Sequence, residues 1–265
     1  METRVTIEVN QGVAEVRLTR ADKLNALDEA MFAGLIEAGL RLKADPGVRA
    51  AVLSGEGRAF CAGLDLASLG PAANLGEVGA ALLGERSHGA ANRVQYAVWI
   101  WRELAFPVIA AVHGAALGGG FQLMLGADMR YVTPDAKLSI QEIKWGLVPD
   151  MGGSQLMRHL AREDLIRELT YTGRVFSGDQ ALQMGFATRV CGDPRAEALT
   201  VAREIAGKSP DAIRAAKRLF NQAPYRGLAE GLVDETFEQM RLIGSPNQVE
   251  AVLANQEQRA PNFSD

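Results

Sequence analysis

One segment of the sequence, residues 104–127, contains no Asp, Glu, Lys or Arg, and it limits what the chain can fold into. Its 24 residues are long enough to span a bilayer as a helix. The segment also contains Pro107, His113 and three consecutive glycines, which a lone membrane helix would rarely contain. We therefore predict a buried strand, a glycine turn and a buried helix here, and no transmembrane segment.

Apolar runs that predict strands alternate with helical patterns over most of the chain. Residues 5–9 and 14–18 alternate apolar with polar side chains on either side of residues 10–12, which predicts an opening β-hairpin. A helix follows from Asp28, which is the predicted N-cap. Three further apolar runs predict strands that are covered on both faces: 50–53, 108–112 and 129–132. Strands that alternate with helices are typical of an α/β fold.

After residue 193 the strand signals stop and helical patterns dominate. Ser-Pro or Ala-Pro pairs interrupt these patterns at residues 209, 223 and 245. We therefore divide the chain into a core over residues 1–195 and an all-helical region over 196–265, which packs on the core or on a neighbouring subunit. The least regular stretch, 68–89, is rich in Gly and Ala and is predicted to cover a pocket.

Charge and cysteine content exclude several functions. The chain has 28 Lys and Arg against 32 Asp and Glu, a formal net charge of −4, and no basic stripe. Nucleic acid and anionic membranes are therefore poor partners. The two cysteines, Cys61 and Cys191, have neither metal-ligand spacing nor the pattern of a disulfide framework. Together with an N-terminal segment that lacks a signal-peptide apolar region, they predict a cytoplasmic protein without a bound metal.

Two glycine-containing segments each follow an apolar strand, at residues 57–66 and 113–122. A strand that ends in glycines and enters a helix presents free backbone N–H groups at the positive end of that helix. Two such ends could hold an oxyanion between them. The alternative is that these glycines only make turns or let a helix pack closely on a sheet. Neither segment has the pattern of a Walker loop or of a dinucleotide fingerprint, which argues against nucleotide hydrolysis and NAD chemistry.

The same two segments carry a resemblance to a known family. Residues 60–66 and 114–120 resemble the paired signature of the enoyl-CoA hydratase/isomerase (crotonase) superfamily. Further segments agree with that family in order and spacing: 24–27, 126–128, 146–149 with 152–153, 172–173 and 181–185. The resemblance implies a ββα-spiral core and a C-terminal helical region that mediates trimers, often paired into hexamers. It also implies a CoA thioester substrate and no cofactor besides the CoA of that substrate.

In that family two peptide N–H groups hold the thioester oxygen as it becomes an enolate, and the resemblance places them at Ala62 and Gly119. Removing one such donor typically raises a reaction barrier by about 3 kcal/mol. The resemblance also implies a set of residues that bind the CoA and the acyl group: Lys23, Leu24, Ala62, Gly63, Leu64, Asp65, Gly118 and Gln122.

The acid–base residues distinguish members of the family. Family hydratases add water with two carboxylates, and the first of those positions is Gln122 here, whose amide cannot exchange a proton at neutral pH. The second position, Glu142, is kept. Asp150 follows, and the dienoyl-CoA isomerases resemble this chain in having an Asp there, although they also have an acid at the position of Gln122. Two acids with separated pKa values can move a proton between carbons. This pattern favours isomerisation of a 3-enoyl-CoA or dienoyl-CoA, with Glu142 as the acid/base and Asp150 as the second catalytic acid.

Three other interpretations remain open at this point. A 2-enoyl-CoA hydratase could use Glu142 while Gln122 orients the water. A dehalogenase could use Asp150 as a nucleophile, but Gln95 stands where its basic His would fall. A non-catalytic crotonase-fold protein could bind RNA or serve as a scaffold, but the net charge and the retained Glu142 argue against it. The sequence does not distinguish fatty-acid oxidation from a specialised degradation pathway.

Overall fold

A computed structural model of the chain describes residues 3–65, 67, 76, 79–80 and 83–265. The strands are β1 Val5–Asn10, β2 Val13–Leu18, β3 Ala50–Gly55, β4 Val108–Val112, β5 Ala115–Leu117, β6 Met129–Val132, β7 Lys137–Ser139 and β8 Arg189–Val190. The helices are α1 Glu29–Lys43, α2 Arg93–Glu103, α3 Gly119–Leu125, α4 Gly153–Met157, α5 Glu163–Thr172, α6 Gly178–Met184, α7 Pro194–Ala206, α8 Pro210–Gln222, α9 Leu228–Leu242 and α10 Pro246–Gln256. Most of the cover predicted over 68–89 lies outside the described residues.

The main sheet has six strands in the order β1-β2-β3-β4-β6-β8. β1 and β2 are antiparallel and form the predicted hairpin, whereas every later neighbour pair in this sheet is parallel. A second sheet pairs β5 with β7, also parallel. β4 is buried along its whole length, as expected where helices cover both faces of a parallel sheet. The α/β prediction is confirmed.

Alternate residues of β3 point to opposite faces of the main sheet, and each face has its own apolar cluster. Ala51 and Leu53 belong to the larger cluster, to which α1, α2 and α3 also contribute. Ala50 and Val52 belong to a second cluster, which α7 covers with small alanine side chains. The helix that spans the predicted boundary at residue 195, α7, thus packs directly on the core sheet. The division of the chain at that residue stays a prediction.

The uncharged segment 104–127 forms β4, β5 and α3, so the predicted strand, turn and helix are confirmed with one short strand added. Within the described parts of the chain no helix is long and apolar enough to cross a membrane. Local signals also mark the helix ends correctly. The Asp28 side chain accepts a hydrogen bond from the Met31 N–H at 2.8 Å, and Ser177 forms a capping box with Gln180.

The helices α8 and α10 begin at the predicted breaks, with Ser209 and Ser245 as N-caps followed by proline. Buried Lys217 of α8 ties this region to the core. Its Nζ donates to the Phe106 carbonyl oxygen at 2.7 Å and to Asp128 Oδ2 at 2.8 Å. Several large apolar side chains of this region are exposed: Phe220, Tyr225, Leu228, Leu232, Val233, Phe237, Met240 and Ile243.

Candidate active site

Ala62 does not have the free N–H that its predicted role requires. The Ala62 N–H donates a hydrogen bond to the Leu24 carbonyl oxygen at 2.9 Å. A residue has one backbone donor, so this group is not available to a substrate oxygen. The assignment of Ala62 as an oxyanion donor therefore needs correction. Ala62 and Leu24 instead join two segments, 24–27 and 62–65, side by side.

Leu64, two residues later, has the free donor. The Leu27 N–H donates to the Gly63 carbonyl oxygen at 2.8 Å, and the Asp65 N–H donates to the Leu27 carbonyl oxygen at 3.0 Å. Leu64 lies between them as the parallel bridge partner of Leu27. In such a pairing the N–H of the middle residue points away from its partner. In the described part of the chain, no acceptor takes the Leu64 N–H.

The turn before α3 provides a second donor beside the first. Gly63 has a φ of +88°, and a Cβ on it would lie 2.5 Å from the Leu117 carbonyl oxygen and 3.5 Å from the Gly119 nitrogen. Only glycine allows this close approach. The Gly118 N–H is used, since it donates to the Ser139 carbonyl oxygen at 2.9 Å. The Gly119 N–H opens α3 and meets no acceptor among the residues that the structure describes.

Glu142 places a buried carboxylate next to this turn. It follows β7 at the start of a 3-10 helix, Glu142–Trp145, and is 8% exposed. A Cβ on Gly118 would lie 3.5 Å from its Oε1. Oε1 accepts a hydrogen bond from Gln122 Nε2 at 2.6 Å, while Oε2 is buried and has no partner within the described residues. The carboxylate therefore has one oxygen held in place and one available to a substrate.

Burial raises the pKa of Glu142 above its usual value, and the nearby charge of Asp150 raises it further, against the hydrogen bond from Gln122. Asp150 is half-buried, and burial raises the pKa of its carboxyl as well. The two acids that the sequence singles out are thus close enough to interact electrostatically. Carboxyls with raised pKa values can accept and return protons nearer neutral pH than ordinary ones.

Gln122 is fully buried, and hydrogen bonds occupy most of its amide. Its Oε1 accepts the Met151 N–H at 2.8 Å and the Gly153 N–H at 2.9 Å, and its Nε2 donates to Glu142. Both lone pairs of the oxygen are therefore used, which leaves one N–H for a water molecule. The side chain holds Glu142 and the loop after Asp150 in a fixed relation.

Several predicted residues lie near this centre without joining it. The exposed Lys23 ends the short helix Ala21–Lys23, and its side chain makes no hydrogen bond or ion pair within the described regions. The Asp65 carboxylate pairs with Arg20 at 2.8 Å. Gln95 forms a capping box with Asn92, and as an amide it cannot act as a general base. No motif in the sequence predicted a role for Met151, which packs against Gly119: a Cβ on Gly119 would lie 2.8 Å from the Met151 Sδ.

Comparisons with known proteins bear on the family and the fold of the chain. Residues 8–265 match the enoyl-CoA hydratase/isomerase family. A peroxisomal Delta(3,5)-Delta(2,4)-dienoyl-CoA isomerase of Arabidopsis thaliana is 31% identical over 100% of this chain and 99% of its own length. A mitochondrial methylglutaconyl-CoA hydratase of Mus musculus is 31% identical over 97% of this chain and 81% of its own length.

The fold is also that of solved family members. An enoyl-CoA hydratase from Bacillus anthracis superimposes on this chain with a TM-score of 0.88 at 27% identity, covering 98% of each chain. The crotonase-like architecture expected from the sequence is thereby confirmed, including its helical C-terminal region. By sequence over nearly its whole length, and by the structure that this sequence adopts, the chain belongs to the enoyl-CoA hydratase/isomerase family.

Proposed function

We propose that the chain moves a carbon–carbon double bond in an unsaturated acyl-CoA thioester, with Glu142 as the acid/base. The observation that carries this proposal is the bonding of Glu142 and Gln122. Glu142 is a buried carboxylate with one unpartnered oxygen beside the glycine turn. The neighbouring position holds an amide whose oxygen is already fully bonded to the backbone. An amide in place of the first of the two carboxylates that family hydratases use suits isomerisation better than hydration.

The mechanism assigns the two free N–H groups to the thioester oxygen. Leu64 and Gly119 donate to that oxygen while Glu142 Oε2 removes a proton from C2 of a 3-enoyl-CoA. The electron pair of the broken C–H bond delocalises onto the oxygen, where the two donors stabilise the negative charge. Glu142 then returns the proton to C4, so the double bond moves from C3–C4 to C2–C3 with no net change in composition.

Asp150 extends the same chemistry to dienes. Conversion of a 3,5-diene into a 2,4-diene removes a proton at C2 and adds one at C6, which lies farther along the acyl chain. Glu142 takes the first proton and a protonated Asp150 supplies the second. A later transfer of one proton from Glu142 to Asp150 restores the starting protonation of both acids. Two relatives are named for their substrates as dienoyl-CoA isomerases, one from Arabidopsis thaliana and one from Homo sapiens.

A spectrophotometric assay tests the function directly. A 3-enoyl-CoA and a 2-enoyl-CoA are incubated separately with the protein, and the absorbance of the conjugated enoyl thioester is followed. We expect the 3-enoyl-CoA to gain conjugation and the 2-enoyl-CoA to be left unchanged. Rapid loss of conjugation from the 2-enoyl-CoA would instead identify a hydratase, the activity for which other relatives are named. Gln122 would then act on water through its remaining N–H.

The pH profile of kcat/KM should report the raised pKa of Glu142. The proposed base must be deprotonated, so activity falls as the pH falls through that pKa, above the 4.5 of an ordinary glutamate. Removing the negative charge of Asp150 lowers the pKa of Glu142. We therefore expect Asp150→Asn to move the acidic limb to lower pH, measured on whatever 3-enoyl-CoA activity remains. An acidic limb that stays in place in this variant would contradict the coupling.

We also propose that the chain forms a homotrimer or a dimer of such trimers. The support is the group of large apolar side chains that are exposed between Phe220 and Ile243, because exposed apolar surface is typical of protein–protein contacts. The CoA moiety is proposed to lie near Lys23 and the 62–65 segment. A cytoplasmic location remains the prediction from cysteine content, although relatives are named as peroxisomal or mitochondrial.

A further inference from the structure

The turn that precedes α1 has an unfavourable backbone. Leu24 and Asn25 both have positive φ angles, of 52° and 56°. The left-handed region is disfavoured for residues with a side chain, and two such residues in succession persist only where their surroundings hold them. This turn is the segment that pairs with 62–65, from which the Leu64 N–H projects. Whatever holds the turn therefore also sets the position of that donor.

The Asn25 side chain is the first element that holds the turn. It is fully buried and makes three hydrogen bonds. Its Oδ1 accepts the Arg20 N–H at 2.9 Å, and its Nδ2 donates to the carbonyl oxygens of Glu56 at 2.9 Å and Ala59 at 2.8 Å. Asn25 thus connects the turn with the loop that leads from β3 towards residue 62.

The Arg20 side chain is the second element, and it crosses from one segment to the other. Its Nη1 lies 2.8 Å from Asp65 Oδ2, 3.1 Å from the Ala26 carbonyl oxygen and 3.4 Å from Asp28 Oδ2. The Arg20 and Asp65 side chains are only 11% and 15% exposed, so solvent screens their attraction weakly. One member of this ion pair, Asp65, is the residue directly after Leu64.

We propose that Arg20, Asn25 and Asp65 are positioning residues that hold the Leu64 N–H in line with the thioester oxygen. The proposal rests on the donor role that the proposed function gives to Leu64. None of the three touches the reacting atoms in this scheme, because each acts through the backbone of 24–27 or 62–65. Oxyanion donors stabilise a transition state only when they are already aimed at the developing charge. A small displacement of Leu64 should therefore slow the chemical step more than it weakens binding.

Matched substitutions of the two aspartates that contact the Arg20 guanidinium test the positioning role. Asp65→Asn removes the charge next to Leu64, and Asp28→Asn removes the other carboxylate partner of Arg20 while an asparagine still caps α1. Kinetics with a 3-enoyl-CoA should show kcat lowered about tenfold or more in Asp65→Asn, with KM within about twofold. We expect Asp28→Asn to retain kcat within about twofold.

A spectroscopic measurement separates positioning from general loss of structure. Acetoacetyl-CoA forms an enolate that absorbs more strongly than its keto form, so its band reports how well the two N–H groups stabilise negative charge. The band should weaken in Asp65→Asn and persist in Asp28→Asn, with both variants unfolding at similar temperatures. Arg20→Lys keeps the charge but loses the planar guanidinium, and it provides a second variant. Its enolate band should be intermediate between those of Asp65→Asn and Asp28→Asn.

The outcomes distinguish the two proposals. Equal kcat values and equal enolate bands in Asp65→Asn and Asp28→Asn would overturn the positioning role alone, provided the unaltered protein isomerises the 3-enoyl-CoA. If the unaltered protein neither turns over the 3-enoyl-CoA nor gives the enolate band, the proposed function fails and the positioning role falls with it.

Discussion

Glu142→Gln is expected to lower kcat on a 3-enoyl-CoA by about 1,000-fold or more, because the amide can neither take nor return the proton. Glutamine has nearly the same shape as glutamate, and Gln122 can still bond to its side-chain oxygen, so the site should keep its geometry. The variant should also still give the enolate band with acetoacetyl-CoA, since both backbone donors remain. The measurement is the initial rate of conjugation at equal protein concentration.

The same substitution should stabilise the fold at neutral pH. The pKa of Glu142 is raised in the folded state, so its ionisation opposes folding at every pH above that raised pKa. The penalty disappears as the pH falls below 4.5, the value of an ordinary glutamate. The unfolding temperature of Glu142→Gln should therefore be higher than that of the unaltered protein at pH 7 and equal to it below pH 4.5.

Glu168→Gln is the control for this pair of measurements. Glu168 is exposed on α5 and pairs with Arg174, an arrangement that contributes little to stability. We expect no change in kcat and only a small change in unfolding temperature. Substantial turnover by Glu142→Gln would remove Glu142 from the mechanism, whatever its effect on stability.

Gly120→Ala is expected to damage both the fold and the activity. A Cβ at this position would lie 2.1 Å from the Cys61 carbonyl oxygen and 2.9 Å from the Cys61 Cβ. Because the first of these atoms belongs to the backbone, α3 and the 61–64 segment must move apart. We expect a loss of about 3 kcal/mol in the free energy of unfolding, measured with urea. Displacing a donor at the same time should lower kcat by about 100-fold.

Gly231→Ala is the matched control. Gly231 lies inside α9, and nothing stands within 4 Å of a Cβ built on it. Alanine is the better helix former, so the free energy of unfolding should rise by about 0.5–1 kcal/mol while kcat stays the same. A Gly120→Ala protein with ordinary stability and ordinary kcat would show that α3 does not need to approach Cys61 so closely.

Features with a local cause could be predicted from the sequence. Asp28 caps α1 because its carboxylate reaches a backbone N–H three residues ahead, a bond that depends only on neighbouring residues. The prolines after Ser209 and Ser245 begin helices for a similar reason, since their φ is already helical. The glycine turn before α3 has the same local character. These signals, together with the family resemblance, identified the fold and Glu142.

Features that depend on distant pairing could not be predicted in the same way. The spacing of residues 60–66 does not show that the Ala62 N–H is used by Leu24, because that bond joins segments far apart in sequence. The positive φ of Gly63 then turns the chain so that Leu64 presents the donor. Likewise, the amide chemistry of Gln122 was evident, but its bonds to Met151 and Gly153 arise only when the later loop folds over α3.

The packing of α7 on the main sheet has a consequence for synthesis on the ribosome. Ala50, Val52 and Ile109 form one face of the sheet, and the alanines of α7 that cover this face come from residues 198–206. A nascent chain that has not yet released those residues from the exit tunnel has an uncovered apolar sheet. Such surfaces aggregate or recruit chaperones. The N-terminal three quarters of this protein should therefore be a client of nascent-chain chaperones until α7 emerges and closes that face.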